Sequence, residues 1–263
     1  MNGLSKILRK IIRGGPRRFV SFLTLLRFVL TTPHVPLIDI FQLTRVGAGT
    51  SDTYIWKRRL VIKLRNKLRE KEMRAVYLPP HRYAGKLDIA LPDRFHLEYQ
   101  RLSQLSELGL APTPVAVGSY YVVVSYVDAV PLDQRDADLP CLLPKVMVAI
   151  EKMHAASIYH GDLNTGNILV RTNDIIIFID FETVFTQESS EGDRKTLDYI
   201  ILLEKLNRIH PQLALNIESL LCDEVLRVYP EFAERSRKFF AWIPESCAAQ
   251  INASSARMAA IKQ

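Results

Sequence analysis

The sequence predicts an α+β chain of two lobes, an N-terminal antiparallel sheet with one helix followed by a mainly helical part. Three observations predict it. Residues 39–65 and 111–127 read as strands separated by Gly-containing or short turns. Residues 93–108 carry apolar side chains at helical spacing between a capping Asp and a Gly. From about residue 194 the text reads helical, with breaks near Pro211, Pro230 and Pro244. With 263 residues, 48% of them apolar, the chain can bury the core that two lobes around a cleft require.

The first element is an arm, residues 1–38. In LSKILRKIIR, Leu4, Ile7, Leu8, Ile11 and Ile12 recur at helical spacing opposite basic side chains, the pattern of a basic amphipathic helix. RRFVSFLTLLRFVL is mostly apolar but interrupted by Arg27, too short and too charged for the roughly 20 residues a membrane span needs. The arm holds seven basic residues and no acid. The other 28 basic residues balance the 28 acidic ones, so the arm carries the whole formal net charge of +7. Two readings follow. Residues 1–30 lie on an anionic membrane surface, peripheral to the inner face of the cytoplasmic membrane, where each basic residue contributes roughly 1 kcal/mol. Alternatively, the arm packs on the protein's own fold with its charge solvated. Nucleic acid is not expected, because no pattern of stacking aromatics accompanies the charge. Cys141, Cys222 and Cys247 are odd in number and widely spaced, which points to a reducing, cytoplasmic compartment.

An N-lobe follows over residues 39–128. FQLTRVGAGTSDTYIWKRRLVIKLR reads as strand, Gly turn, strand, short turn, strand. PPHRYAG is a loop, helix 93–108 runs from Asp93 as N-cap to Gly109 as C-cap, and APTPVAVGSYYVVVSYV supplies two strands. The C-lobe, residues 129–263, opens with a helix over about 139–158, marked by Leu143, Val146, Met147, Ile150 and Met153. Next come the loop YHGDLNTGNILV, a turn at RTND, the strand IIIFID, and the terminal helices.

Five features carry chemistry. Val46-Gly47-Ala48-Gly49-Thr50-Ser51 is a Gly-containing turn whose backbone N–H groups can approach phosphates closely. Lys63 stands in the apolar strand LVIKL. Glu98 shares a helix face with Phe95, Leu102 and Leu105, and a Glu on an apolar stripe needs a partner to be buried. His160, Asp162 and Asn167 occupy one turn, a pattern that local backbone hydrogen bonding alone also favours. Asp180 ends an apolar strand, which aims its carboxylate out of the sheet's end.

Taken together, Lys63, Glu98, HGDLNTGNILV and IDFE resemble the protein-kinase-like superfamily over roughly residues 40–210. The resemblance implies ATP and magnesium. It implies Lys63 on the nucleotide phosphates with Glu98 as its ion-pair partner, and the turn with Val46, Gly47, Gly49, Thr50 and Ser51 over them. It further implies a hinge at Tyr126, Val127 and Asp128 against adenine, Asp162 as catalytic base, and Asn167 and Asp180 as metal ligands. His160 and Asp198 become structural supports of the loop. Departures narrow the choice. Gly161 replaces the Arg that would grip a phosphorylated segment, Glu182 replaces the Gly of D-F-G, and only 17 residues separate Asp180 from Asp198. That is short for the peptide-docking segment of ordinary protein kinases. HGDLN…NIL with an ID-F-acid ending resembles the bacterial lipopolysaccharide core sugar kinases (Kdo and heptose kinases), which implies a sugar or glycolipid acceptor. RIO-like protein kinases and choline- or aminoglycoside-type phosphotransferases are the alternatives, and a non-catalytic pseudokinase is disfavoured because neither the Lys nor either Asp is missing.

Overall fold

The computed structural model describes residues 23–28, 43–48, 51–66, 93–135, 138–185, 189–209, 214–242 and 245–261. The chain divides into two compact units: residues 1–77, 95–99 and 113–127 form one, and 78–94, 100–112 and 128–263 the other.

In the first unit, β1 (Leu43–Ala48), β2 (Ser51–Trp56), β3 (Leu60–Arg65), β4 (Pro114–Gly118) and β5 (Tyr121–Ser125) make an antiparallel sheet in the order β1-β2-β3-β5-β4. Side chains alternate between its faces. Tyr54, Ile62, Leu64 and Val123 share one face, where they cluster with Leu25 and Phe28 of a helical segment at 23–28. Phe28 is fully buried and meets Tyr121 edge-on at 4.9 Å, while the Arg27 guanidinium lies 4.7 Å over the Tyr120 ring. Part of the basic arm therefore packs on the fold; the helix expected over residues 4–12 lies outside the described residues. Lys63 pairs with Thr53 and Val122 across the strands, one position out of step with Ile62 and Leu64, and so belongs to the opposite face.

Helix α1 (Arg94–Glu107) starts and stops close to where its sequence signals stand. Asp93 occupies the N-cap position but makes no capping bond through its side chain. Gly109 takes φ +70, its N–H reaches the Ser106 carbonyl, and the Leu110 N–H reaches that of Leu105 at 2.9 Å. This is a Schellman ending, in which a left-handed glycine lets the last carbonyls find donors.

In the second unit, α2 (Leu139–Ala155) buries Leu143, Val146, Met147, Ile150 and Met153 almost completely. A three-stranded sheet brackets that helix in the chain, β6 (Val130–Pro131) before it and β7 (Ile168–Val170) and β8 (Ile176–Phe178) after it, in the order β6-β7-β8. The Phe178 N–H donates to the Leu110 carbonyl at 2.8 Å, tying β8 to the end of α1. Helices α3 (Glu191–Ile209), α4 (Ala214–Val228), α5 (Phe232–Ser236) and α6 (Glu245–Ile261) complete the unit. Among the described residues no helix is long and apolar enough to cross a membrane.

Candidate functional site

In the first unit the structure brings Lys63 and Glu98 together. Lys63 Nζ donates to Glu98 Oε1 at 2.7 Å, with the carboxylate side chain 1% and the amine side chain 12% exposed. A charge pair this far from water is held by its geometry, and removing either partner strands the other. The β1–β2 hairpin is buttressed from below. Asp52, 1% exposed, accepts from the Arg45 guanidinium and from Asn66 Nδ2 at 2.9 Å. Sequence reading missed this cluster, although an acid at the strand period of Tyr54 was a signal for it. Val46 and Gly47 lie on β1 beside an irregularity in the β1–β2 register, and Ser51 is buried at the start of β2. Gly49 and Thr50 fall outside the described residues. Tyr126 and Val127 end the last segment of the first unit, with the Tyr126 N–H on the Arg59 carbonyl at 2.7 Å, and from Asp128 onward the chain belongs to the second.

In the second unit the loop between α2 and β7 is fixed at several points. Asp198 on α3 is fully buried. Its Oδ2 accepts from the His160 N–H at 2.9 Å and from His154 Nε2 at 3.0 Å, and its Oδ1 from the Gly161 N–H at 2.6 Å. Three donors on one carboxylate offset the cost of burying its charge. His160 is equally buried. Its Nδ1 faces the Asp162 N–H at 3.3 Å, which can only donate, so Nε2 carries the proton and donates to the Ile179 carbonyl at 2.8 Å. Both ring nitrogens are thereby committed and His160 has none left to act as a base. Asn167 Nδ2 donates to the Asp162 carbonyl at 2.9 Å and to Asp162 Oδ2 at 3.3 Å. The half-buried Asp162 carboxylate is thus oriented by its own loop.

Gly161 has φ +74, and a Cβ added there would overlap Thr183 Cγ2 and come within 2.9 Å of Phe185 Cζ. The chain after Phe181-Glu182 therefore fills the space that a side chain at 161 would need. Directly after β8, the Ile179 N–H binds the Asn167 carbonyl at 3.0 Å, and Asp180 then adopts φ +70. A left-handed conformation at a non-glycine costs on the order of 1–3 kcal/mol and persists where its surroundings impose it. Those surroundings include two arginines of α1. The Arg101 Nη1 donates to the carbonyls of Phe181 (3.2 Å) and Thr183, and the fully buried Arg94 faces Glu182 Oε2 at 3.7 Å. Neither arginine was singled out from sequence, although both stand on the α1 stripe of Glu98, at offsets of four and three.

The donor chemistry suits magnesium. With the Asn167 NH₂ donating to Asp162, its carbonyl oxygen and the Asp180 carboxylate are the hard oxygens that could hold the ion. Magnesium is held by one or two such hard oxygens together with substrate phosphates. Among the described residues no group of three or more His, Cys, Asp or Glu side chains forms a self-sufficient metal cage.

Comparison with known proteins adds the following. Residues 93–198, from the start of α1 to Asp198, match the RIO domain family. The 3-deoxy-D-manno-octulosonic acid kinases of two Vibrio vulnificus strains are each 30% identical over 118 residues, covering 40% of this chain and 50% of the relative. A probable bifunctional tRNA threonylcarbamoyladenosine biosynthesis protein of Methanosphaera stadtmanae is 32% identical over 94 residues, 35% of this chain and 17% of that protein. The chain thus spans about half the length of the Vibrio relatives it matches.

Proposed function

We propose that this chain is an ATP- and magnesium-dependent kinase that moves the γ-phosphoryl group onto a hydroxyl of a sugar, in lipopolysaccharide core or a related glycolipid. The observation that carries this reading is the loop at 160–167, with Asp162 oriented by Asn167 and the whole turn hung on the buried carboxylate of Asp198. The likeness to 3-deoxy-D-manno-octulosonic acid kinases, which by name act on a sugar acid, favours a sugar over other acceptors.

On this reading Lys63, held by Glu98, binds the nucleotide phosphates, and Tyr126, Val127 and Asp128 flank the base. Asp162 takes the proton of the acceptor hydroxyl as the new oxygen–phosphorus bond forms and the bond to ADP breaks. Asn167 and Asp180 would hold magnesium, which neutralises charge on the phosphates when bound. His160 and Asp198 keep the loop in shape and exchange no proton. Transfer of labelled γ-phosphate to purified lipopolysaccharide core tests the proposal. Labelled core is expected; wild-type protein that labels a polypeptide and leaves the core unlabelled would end the sugar version. That second outcome is what a RIO-like protein kinase predicts, a reading favoured by the match over residues 93–198.

For residues 1–30 we propose an anionic membrane surface as partner, supported by the excess of basic residues in the arm. Segment 23–28 is already engaged with the sheet, so the membrane contact falls to the residues before it. Co-sedimentation with vesicles containing anionic lipid, absent with neutral ones, is the expected result.

A further inference from the structure

We propose that Arg94, Arg101 and Glu182 form a clamp that imposes the conformation of the Asp180 turn, so that this turn is set by the fold itself and needs no modification of a regulatory segment. The inference deepens the phosphotransfer reading and rests on it. Asp180 stands at φ +70, a left-handed conformation that costs an L-residue energy, though aspartate less than most. On its N-terminal side, Ile179 is fixed through both backbone groups, its N–H on the Asn167 carbonyl and its carbonyl on His160 Nε2. On its C-terminal side, Arg101 takes the carbonyls of Phe181 and Thr183 on one nitrogen. Spanning two carbonyls across Glu182 leaves that residue's backbone little freedom. Glu182 is also drawn toward Arg94, whose side chain is wholly buried. Phe181 completes the set, buried against the His160 ring at a centroid distance of 4.5 Å.

The two arginines are seven positions apart on α1, two helical turns, and so project from the same face. They are positioning residues: each acts on Asp180 through the backbone or through Glu182. The sequence carries both halves of the device. Set against the kinase-like pattern that the sequence resembles, Glu182 stands where that pattern has a glycine, and Gly161 where it has an arginine. A turn held by side chains of α1 has no use for that arginine.

The test uses the full chain with Arg101→Ala, Arg101→Lys and Glu182→Gln. Three quantities are read: ADP affinity in the presence of EDTA, manganese affinity of the ADP-loaded protein by electron paramagnetic resonance, and hydrogen exchange of amides 179–184. Arg101→Ala is expected to weaken manganese binding by about 10–100-fold, as loss of an outer support of a ligand does, and to speed exchange of those amides. Metal-free ADP affinity should stay within about twofold, because the carbonyls that Arg101 holds belong to Phe181 and Thr183, neither of which is assigned to the nucleotide. Arg101→Lys, which can still donate to a carbonyl, should recover part of the loss. Should Arg101→Ala fail to fold, Glu182→Gln carries the same comparison while keeping the side chain's shape. Variants that match wild type in manganese binding and exchange would overturn the clamp alone. Wild type that binds ADP neither with nor without manganese would overturn the phosphotransfer reading, and the clamp's purpose with it.

Discussion

Replacing Gly161 by alanine isolates what this loop asks of its backbone. Two costs act at once. Alanine must adopt φ +74, which disfavours an L-residue by roughly 1–2 kcal/mol. Its methyl also overlaps Thr183 Cγ2, and overpacking of this kind costs about 1–3 kcal/mol because Thr183 is itself buried. Gly161→Ala should therefore lower stability by about 2–5 kcal/mol, read as a shift of the urea midpoint at constant slope. A second variant separates the two costs. In Gly161→Ala with Thr183→Ser the contact with Cγ2 is gone, so part of the steric cost should be returned, while the backbone part, roughly 1–2 kcal/mol, and the close approach to Phe185 Cζ should remain. Gly161→Ala within about 0.5 kcal/mol of wild type, the range of an ordinary surface substitution, would refute the reasoning. So would a Thr183→Ser background that returns nothing.

Asp162→Asn should lower the rate of phosphoryl transfer by about 10²–10⁴-fold with ADP affinity unchanged in calorimetry, since the base meets the acceptor and not the nucleotide. Glu98→Gln removes the charge 2.7 Å from Lys63. A hydrogen bond to a charged group contributes about 1.5–3 kcal/mol, so kcat/KM for ATP should fall by about 10–100-fold. Burial, and then the hydrogen bond to Glu151, raise the Tyr199 hydroxyl well above its ordinary value of 10.0. The folded chain keeps a proton that the unfolded chain releases, so this stability is complete below pH 10 and is lost as pH climbs above it, at about 1.4 kcal/mol per unit. Tyr199→Phe retains the ring contacts with His154 and Phe232, and should flatten that alkaline slope in urea titrations between pH 9 and pH 11.

Strands and helices were legible because their punctuation is local. The Gly-containing and short turns bounded β1 to β5, the Gly109 ending of α1 could be placed from one residue, and the α2 core stripe followed from spacing alone. The Lys63–Glu98 pair was legible for a different reason. A Glu on an apolar helix face needs a partner to be buried, and the resemblance to the kinase-like pattern supplied Lys63 as that partner. What escaped was long-range and directional. Arg101 meets carbonyls 80 and 82 residues away, and nothing in the local text near residue 181 announces a donor. Asp93 shows the converse failure: the residue type is right for a cap and stands in the right place, yet its side chain makes no capping bond.

Segment 23–28 has a practical consequence for anyone trimming this protein. Cutting the chain after residue 28, where the basic text looks dispensable, would strip Leu25 and Phe28 from Ile62, Leu64 and Val123 and open that sheet face to water. The shortened protein should self-associate through the bared surface, and a purification that begins from such a truncation will lose material to aggregates before any assay is attempted.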